Sequence, residues 1–266
     1  MLQHFVGRGI PVLGVEPTKS TAVAAISKGI PTEITFFGQA TGERLKLEGY
    51  AADLIASNNV LAHVPDINDF VSGFATLLKH EGVWSAEFPH ILSLIEENQF
   101  DTIYHEHYSY LSLLVVEGIL ARHGLRVFDV EELPTHGGSL RLFSCRTEAS
   151  HVEKPGLASV RAKEAAFGLD KLSAYEGFGA KVLAVKEALL TFLNAAKSEG
   201  KRVAAHGAAA KGNTLLNYCN VSTDLVDYVV DRNDHKQGRY LPGSRLPILA
   251  PERIAETKPD YVLILP

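Results

Sequence analysis

The chain has 266 residues, 46% of them hydrophobic and 21% charged, with a formal net charge of -5. That length allows two domains, and the composition is that of an ordinary globular protein. With no long basic run the charge argues against a nucleic-acid partner, and no apolar stretch is long enough to span a bilayer. The start, MLQHFVGRG, lacks the apolar core of a signal peptide, and the two cysteines, Cys145 and Cys219, form no metal-ligand spacing or disulfide framework, as suits a reducing cytoplasm.

The first half alternates strands and helices. PVLGVEPT (11–18) is a short apolar run ending in an acid and a proline. KSTAVAAISKG (19–29) reads as a helix with Thr18 or Ser20 as cap and Gly29 as its stop. PTEITFF (31–37) and ADLIASNN (52–59) are the next strands. In INDFVSGFATLLKHEG (67–82), Phe70, Phe74, Leu77 and Leu78 recur at helical spacing, and VWSAEFP (83–89) is a fourth strand. Together these predict an α/β protein with a doubly wound, mostly parallel sheet.

LRVFDVEELP and GGSLRLFSCR, joined by a turn with Thr135, His136, Gly137 and Gly138, read as an antiparallel pair at the edge of that sheet. Residues 152–200 are rich in Ala, Lys and Glu, with Val182, Val185, Leu189 and Phe192 on one helical face, which predicts a long helical connector. A second, smaller α/β unit follows: KRVAAHG (201–207) as a strand, AAAKGNT as a small-residue loop, TLLNYC opening a helix, LVDYVVDRN (225–233) as a strand, PERIAETKPD as a helix and YVLIL as a strand. The expected division is 1–150, 151–200 and 201–266.

Several groups can carry chemistry. Glu16 follows a strand, where an acid in a doubly wound fold accepts hydrogen bonds from ribose hydroxyls. A single acid after a strand is more often a solvated turn residue. Asn58, Asn59 and His63 follow the third strand at the same sheet edge, able to offer amides to a ligand or to cap the helix at 67. DTIYHEHYSY (101–110) is denser in proton-handling groups. If extended, Tyr104 and Glu106 share one face and His105 and His107 the other. His-x-His spacing suits a metal, but no third ligand stands nearby. The other reading is acid–base work, in which a histidine titrates near neutrality and a tyrosine donates to a developing oxyanion. A polar surface cluster is the bland alternative. HGAAAKGNTLLN (206–217) sets Lys211 and free N–H groups at a helix start, as a phosphate requires, without being a Walker A loop. Arg232, His235, Lys236 and Arg239 add positive charge that could neutralise a diphosphate.

The strings GIPVLGVEPT, NNVLAHVPDINDFV, NQFDTIYHEHYSYLS, HGGSLR, AAAKGNTLLNYC and VVDRNDHKQGRYLPGSRLPI resemble the S-adenosylmethionine-dependent C-methyltransferases that act on nucleotide-linked keto-deoxysugars. They run over nearly the whole chain. The resemblance implies an N-terminal zinc-binding domain, a Rossmann-like methyltransferase domain with antiparallel edge strands, and a smaller Rossmann-like C-terminal domain that helps hold the sugar nucleotide. It implies His107 as general base, Tyr104 and Glu106 as its flanking groups, and His63 as a further active-site histidine, with His105 left structural. For the cofactor it implies Glu16, Pro17, Phe37, Gly38, Asn58 and Asn59. For the nucleotide sugar it implies Lys211, Gly212, Asn213, Thr214, Asp231, Arg232, Lys236 and Arg239. No metal ligand is implied within the chain. The zinc domain and the first strand with its glycine turn would precede Met1, and the last domain would continue past Pro266, so the chain reads as a fragment. The rival readings are a non-catalytic sugar-nucleotide-binding protein or an inactive fragment, and, with no G-x-G-x-x-G after any strand, a nicotinamide enzyme as the weakest.

Overall fold

A computed structural model describes all 266 residues. In chain order the elements are α1 (Gln3–Val6), β1 (Gly14–Val15), α2 (Lys19–Ile26), β2 (Thr32–Glu33), α3 (Gln39–Leu47), β3 (Ala52–Asn58), α4 (Ile67–Leu77), β4 (Leu78–Pro89), α5 (Ile91–Glu96), α6 (Leu113–Arg122), β5 (Leu125–Leu133), β6 (Ser139–Arg146), α7 (Pro155–Phe167), α8 (Phe178–Ser198), β7 (Val203–His206), α9 (Ala210–Tyr218), β8 (Val229–Val230), β9 (Ile248–Leu249), α10 (Glu252–Thr257) and β10 (Tyr261–Ile264). They form two compact units. Unit 1 is Met1–Phe88, Leu113–Leu133 and Leu140–Ala162, and unit 2 is Pro89–Ser112, Pro134–Ser139 and Lys163–Pro266. The grouping is not linear along the chain: the segment with the histidines and the turn between β5 and β6 fold with the C-terminal half.

Unit 1 holds a two-stranded parallel sheet, β1 with β2, and a four-stranded sheet in the order β3-β4-β6-β5. β3 and β4 run parallel from Ala52↔Leu78 to Asn58↔Glu87, with a register shift between Ala52 and Leu54. That irregularity lets β4 begin at Leu78, earlier than the expected start at 83. β5 and β6 are neighbours joined by a short turn, which makes them the expected antiparallel hairpin, because parallel strands need a long crossover.

α4 starts where Asp66 accepts the N–H groups of Asn68 and Asp69, a helix cap that satisfies donors with no partner in the first turn. Its buried face is Phe70, Val71, Gly73, Phe74 and Leu77. Phe74 stacks on Phe37 with centroids 4.5 Å apart and meets Trp84 of β4 at 4.3 Å. α3 approaches α4 at glycine: a Cβ on Gly42 would lie 2.6 Å from the Gly73 carbonyl, and one on Gly73 would lie 2.5 Å from the Gly38 carbonyl. The two backbones therefore meet without a layer of side chains between them.

Unit 2 holds an all-parallel sheet in the order β10-β7-β8-β9. β7 and β8 are buried almost throughout, as central parallel strands must be. Leu193 and Ala196 of α8 and Leu216 of α9 close one face with Val203, Ala205 and Val229, and Ala204, Tyr228 and Val230 face the other way. A second cluster, Leu92, Leu94, Ile95 and Leu169, packs beside Tyr110, Phe167, Tyr175 and Phe178. The helical connector expected over 152–200 is two helices, α7 and α8, separated by a turn at Leu172–Tyr175.

Candidate active site

The residues expected at the cofactor lie in unit 1, after β1, before α3 and at the end of β3. Glu16 follows β1, and its Oε1 accepts the Thr18 N–H at 2.8 Å. Pro17 is exposed in the same turn. Phe37 stacks in the aromatic cluster, and Gly38 is buried, with the Asp69 carboxylate filling the space a side chain would need. Asn58 ends β3, and Asn59 turns the chain with a left-handed φ of 55°, its N–H donating to the Glu87 carbonyl at 2.7 Å. The Asn59 Oδ1 is buried with no hydrogen-bond partner. A buried acceptor left open is costly unless a ligand or water supplies a donor. Sequence reasoning did not single out Glu87, whose side chain is 6% exposed beside the end of β3 and accepts from Arg141 at 2.8 Å. The signal was the one charged residue in the strand VWSAEFP. His63 ends a single 3-10 turn, Leu61–His63, and is half-buried.

Tyr104, Glu106 and His107 belong to unit 2. The segment is neither a strand nor a helix; it is a turn, with the His107 N–H donating to the Tyr104 carbonyl at 3.0 Å. The face-sharing expected of an extended run therefore does not apply. Instead the rings of Tyr104 and His107 lie 4.4 Å apart at 31°, and Tyr110 meets His107 edge-on at 6.1 Å. The His107 Nδ1 lies 2.9 Å from the Thr102 carbonyl. A carbonyl can only accept, so Nδ1 carries a hydrogen; in the neutral ring the lone pair then lies on Nε2, the arrangement a general base needs. Burial, with the charges of Glu106 and Asp101 behind it, pushes the Tyr104 phenol up, so it stays a hydrogen-bond donor at neutral pH. Asp101 is itself raised by burial, against the attraction of Lys211. His105 and His107 lie in no group of three or more side chains able to hold a metal.

A cavity of about 380 Å³ is lined by Tyr104, His105, Glu106, Ala210, Asn213, Thr214, Asn217 and Tyr218. Parts of two stretches that the sequence presents separately thus meet in one pocket of unit 2: Tyr104, His105 and Glu106, but not His107, from YHEH, and Ala210, Asn213 and Thr214, but not Lys211 or Gly212, from AKGNT. The Asn213 Oδ1 is a second buried acceptor without a partner. The Asn217 amide donates to the Asn213 carbonyl at 2.9 Å, while Tyr218 sits edge-on to Phe100 with the Lys186 ammonium 5.0 Å from its ring centre. Sequence reasoning missed Asn217 and Tyr218. Their signal was helical spacing, each four residues beyond Asn213 and Thr214 on one face of α9.

The charged residues expected at a diphosphate divide in two. Arg232 and Arg239 are exposed. Lys211, at the start of α9, donates to the His136 carbonyl at 3.2 Å, and Gly212 packs against Leu265, leaving no room for a side chain. Asp231 and Lys236 brace the loops after β7 and β8: Asp231 accepts the N–H groups of Ala208 and Asn233 at 2.8 Å each, and Lys236 donates to the Ala208 carbonyl at 2.8 Å. Burial alone would raise Asp231, but those two N–H groups and Lys236 outweigh it and hold the carboxyl below its ordinary 3.8. A depressed folded-state value stabilises the fold above 3.8 and is lost as pH falls through the folded value. The stability difference between the native chain and Asp231→Asn is therefore expected to shrink as the pH drops below 3.8, in denaturant titrations across that range. A difference that stays constant would show that the carboxylate is not coupled to folding.

The family model for the C-methyltransferase C-terminal domain matches residues 134–266, half of the chain, and that for a methyltransferase domain matches residues 1–86. The chain belongs to the C-methyltransferase family. It is 35% identical over 264 residues to the C-methyltransferase NovU of Streptomyces niveus, an alignment covering 99% of this chain and 63% of that protein, so the chain spans less than two thirds of that relative's length. Among solved structures, the magnesium protoporphyrin IX methyltransferase ChlM of Synechocystis PCC 6803 with bound SAH aligns over 54% of this chain and 68% of its own at 16% identity and a TM-score of 0.43. A putative S-adenosylmethionine-dependent methyltransferase of Listeria monocytogenes aligns over 55% of this chain and 85% of its own at 14% identity and a TM-score of 0.42.

Proposed function

We propose that the protein transfers a methyl group from S-adenosylmethionine to the carbon next to the ketone of a nucleotide-linked deoxysugar, by way of an enolate. The observation that supports this reading is the pairing in unit 2 of a histidine oriented to accept a proton with a phenol kept protonated 4.4 Å away. Carbon methylation needs a carbon nucleophile, and removing a proton beside a ketone creates one. His107 takes that proton, and Tyr104 donates to the oxygen on which charge develops. Glu106 shares the pocket with Tyr104 and holds its phenol up, and His63 is a further acid–base group carried by unit 1.

Glu16, Asn58 and Asn59 suit a ligand rich in hydroxyl and amino donors, since the Asn59 Oδ1 is buried without one. They would hold the cofactor with Pro17, Phe37 and Gly38 beside them. Bound, it supplies an electrophilic methyl on a sulfonium. Lys211, Gly212, Asn213 and Thr214 at the start of α9 would receive the phosphates and sugar, with Arg232 and Arg239 adding charge and Asp231 and Lys236 shaping the loops.

The test has two parts. In deuterated buffer without cofactor, the protein is expected to exchange the proton beside the ketone of a nucleotide-linked keto-deoxysugar. With methyl-labelled cofactor, the label is expected on carbon. Label on oxygen would overturn the reading, as would binding with neither exchange nor transfer, the behaviour of a non-catalytic sugar-nucleotide-binding protein.

A further inference from the structure

The turn between β5 and β6 has an unusual backbone. His136, Gly137 and Gly138 follow one another with φ of 54°, 85° and 120°. Glycine adopts positive φ freely, but a histidine there needs support from its surroundings. The consequence is a strip of carbonyls, each taken by a donor from a different segment of unit 2. The Lys211 ammonium donates to the His136 carbonyl at 3.2 Å, the Gln99 amide to the Gly137 carbonyl at 2.7 Å, and the His90 N–H to the Gly138 carbonyl at 3.0 Å.

The middle contact leads to the candidate base. The Gln99 side chain holds Gly137, and the Gln99 backbone carbonyl accepts the Thr102 N–H at 3.1 Å. The Thr102 carbonyl in turn accepts the His107 Nδ1–H at 2.9 Å. Three hydrogen bonds in series thus run from the turn to the ring that must present its Nε2. The turn is fitted to Gln99 as well: a Cβ on Gly137 would lie 2.5 Å from the Gln99 Nε2. Gln99 and Gly137 lie in two of the strings that carry the family resemblance, NQFDTIYHEHYSYLS and HGGSLR, and neither is among the expected site residues.

We propose that Gln99 is a positioning residue for His107, hanging residues 99–107 from the Gly137 carbonyl so that the imidazole keeps its hydrogen on Nδ1 and its lone pair on Nε2. Lys211 reinforces the same strip one residue earlier. The proposal rests on His107 being the base, but its test does not require turnover.

Nitrogen NMR of histidine-labelled protein reports which ring nitrogen of His107 carries the hydrogen. The native protein is expected to show the Nδ1–H tautomer. Gln99→Glu keeps the shape of the side chain but removes the amide donor, and Gly137→Ala displaces Gln99 from the opposite side. Both are expected to lower the Nδ1–H fraction and to slow kcat by about tenfold or more with little change in KM for the sugar nucleotide, the pattern of a misaimed group rather than a lost binding contact. Gln99→Leu, which leaves no charge behind, serves if either variant fails to fold. An unchanged His107 tautomer in the folded variants would overturn the proposal. A native protein that shows the Nδ1–H tautomer yet transfers no methyl group would sink the proposed function and leave the positioning role standing.

Discussion

His107→Asn is expected to lower the rate of methyl transfer by about 100-fold or more, the usual contribution of a general base. Asparagine keeps a polar group at the position and can still reach toward the Thr102 carbonyl, so the turn at 104–107 need not collapse. What it cannot do is accept and release a proton near neutral pH. Sugar-nucleotide affinity is expected to change little, because the groups proposed to hold the phosphates lie on α9 and in the loops after β7 and β8. Steady-state kinetics with a nucleotide-linked keto-deoxysugar, beside calorimetric binding, separates the two. Turnover at the native rate would remove His107 from the chemistry.

Glu164→Ala is expected to cost about 1–3 kcal/mol of stability, the penalty for leaving the partner of a buried hydrogen bond unsatisfied. His90 and Glu164 are 4% and 3% exposed, with the imidazole Nε2 2.7 Å from the carboxylate. The His90 backbone is tied to the Gly138 carbonyl and to the start of α5, which keeps the residue in place. Replacing both residues by leucine should cost less, because it removes both buried polar groups together. Urea unfolding of the two variants is the measurement. A loss of under about 1 kcal/mol for Glu164→Ala would mean that the carboxylate finds other support.

Much of the architecture was legible because it obeys simple periods. β3 was expected at 52–59 and ends at Asn58; α4 was placed by its phenylalanines and leucines, although its cap is Asp66 and not Asn58 or Asn59; the β5–β6 hairpin was marked by its glycines. α3 was left unread for a physical reason. Its buried face is Gly42 and Leu45, and its contact with α4 is made by backbone, so no apolar stripe exists to be seen. α6 was passed over for the opposite reason: Leu113, Val116 and Leu120 are buried, yet Leu114 and Val115 on its other sides are apolar too, which blurs the period. At the site, residue types pointed to acid–base chemistry, but the expected extended run is a turn. The tautomer of His107 depends on a carbonyl five residues away, and the meeting of YHEH with α9 depends on tertiary packing. Neither follows from spacing along the chain.

The contact of α3 with α4 sets a limit on engineering this protein for heat resistance. Glycine inside a helix is a standard target for such work, since alanine is favoured there by up to about 1 kcal/mol. At Gly42 and Gly73 the same change would drive a methyl group into a neighbouring carbonyl at 2.6 Å and 2.5 Å, forcing the two helices apart. Gly42→Ala and Gly73→Ala should lower the melting temperature, not raise it. A substitution table built on helix propensity alone would rank both among its first choices and be misled by them.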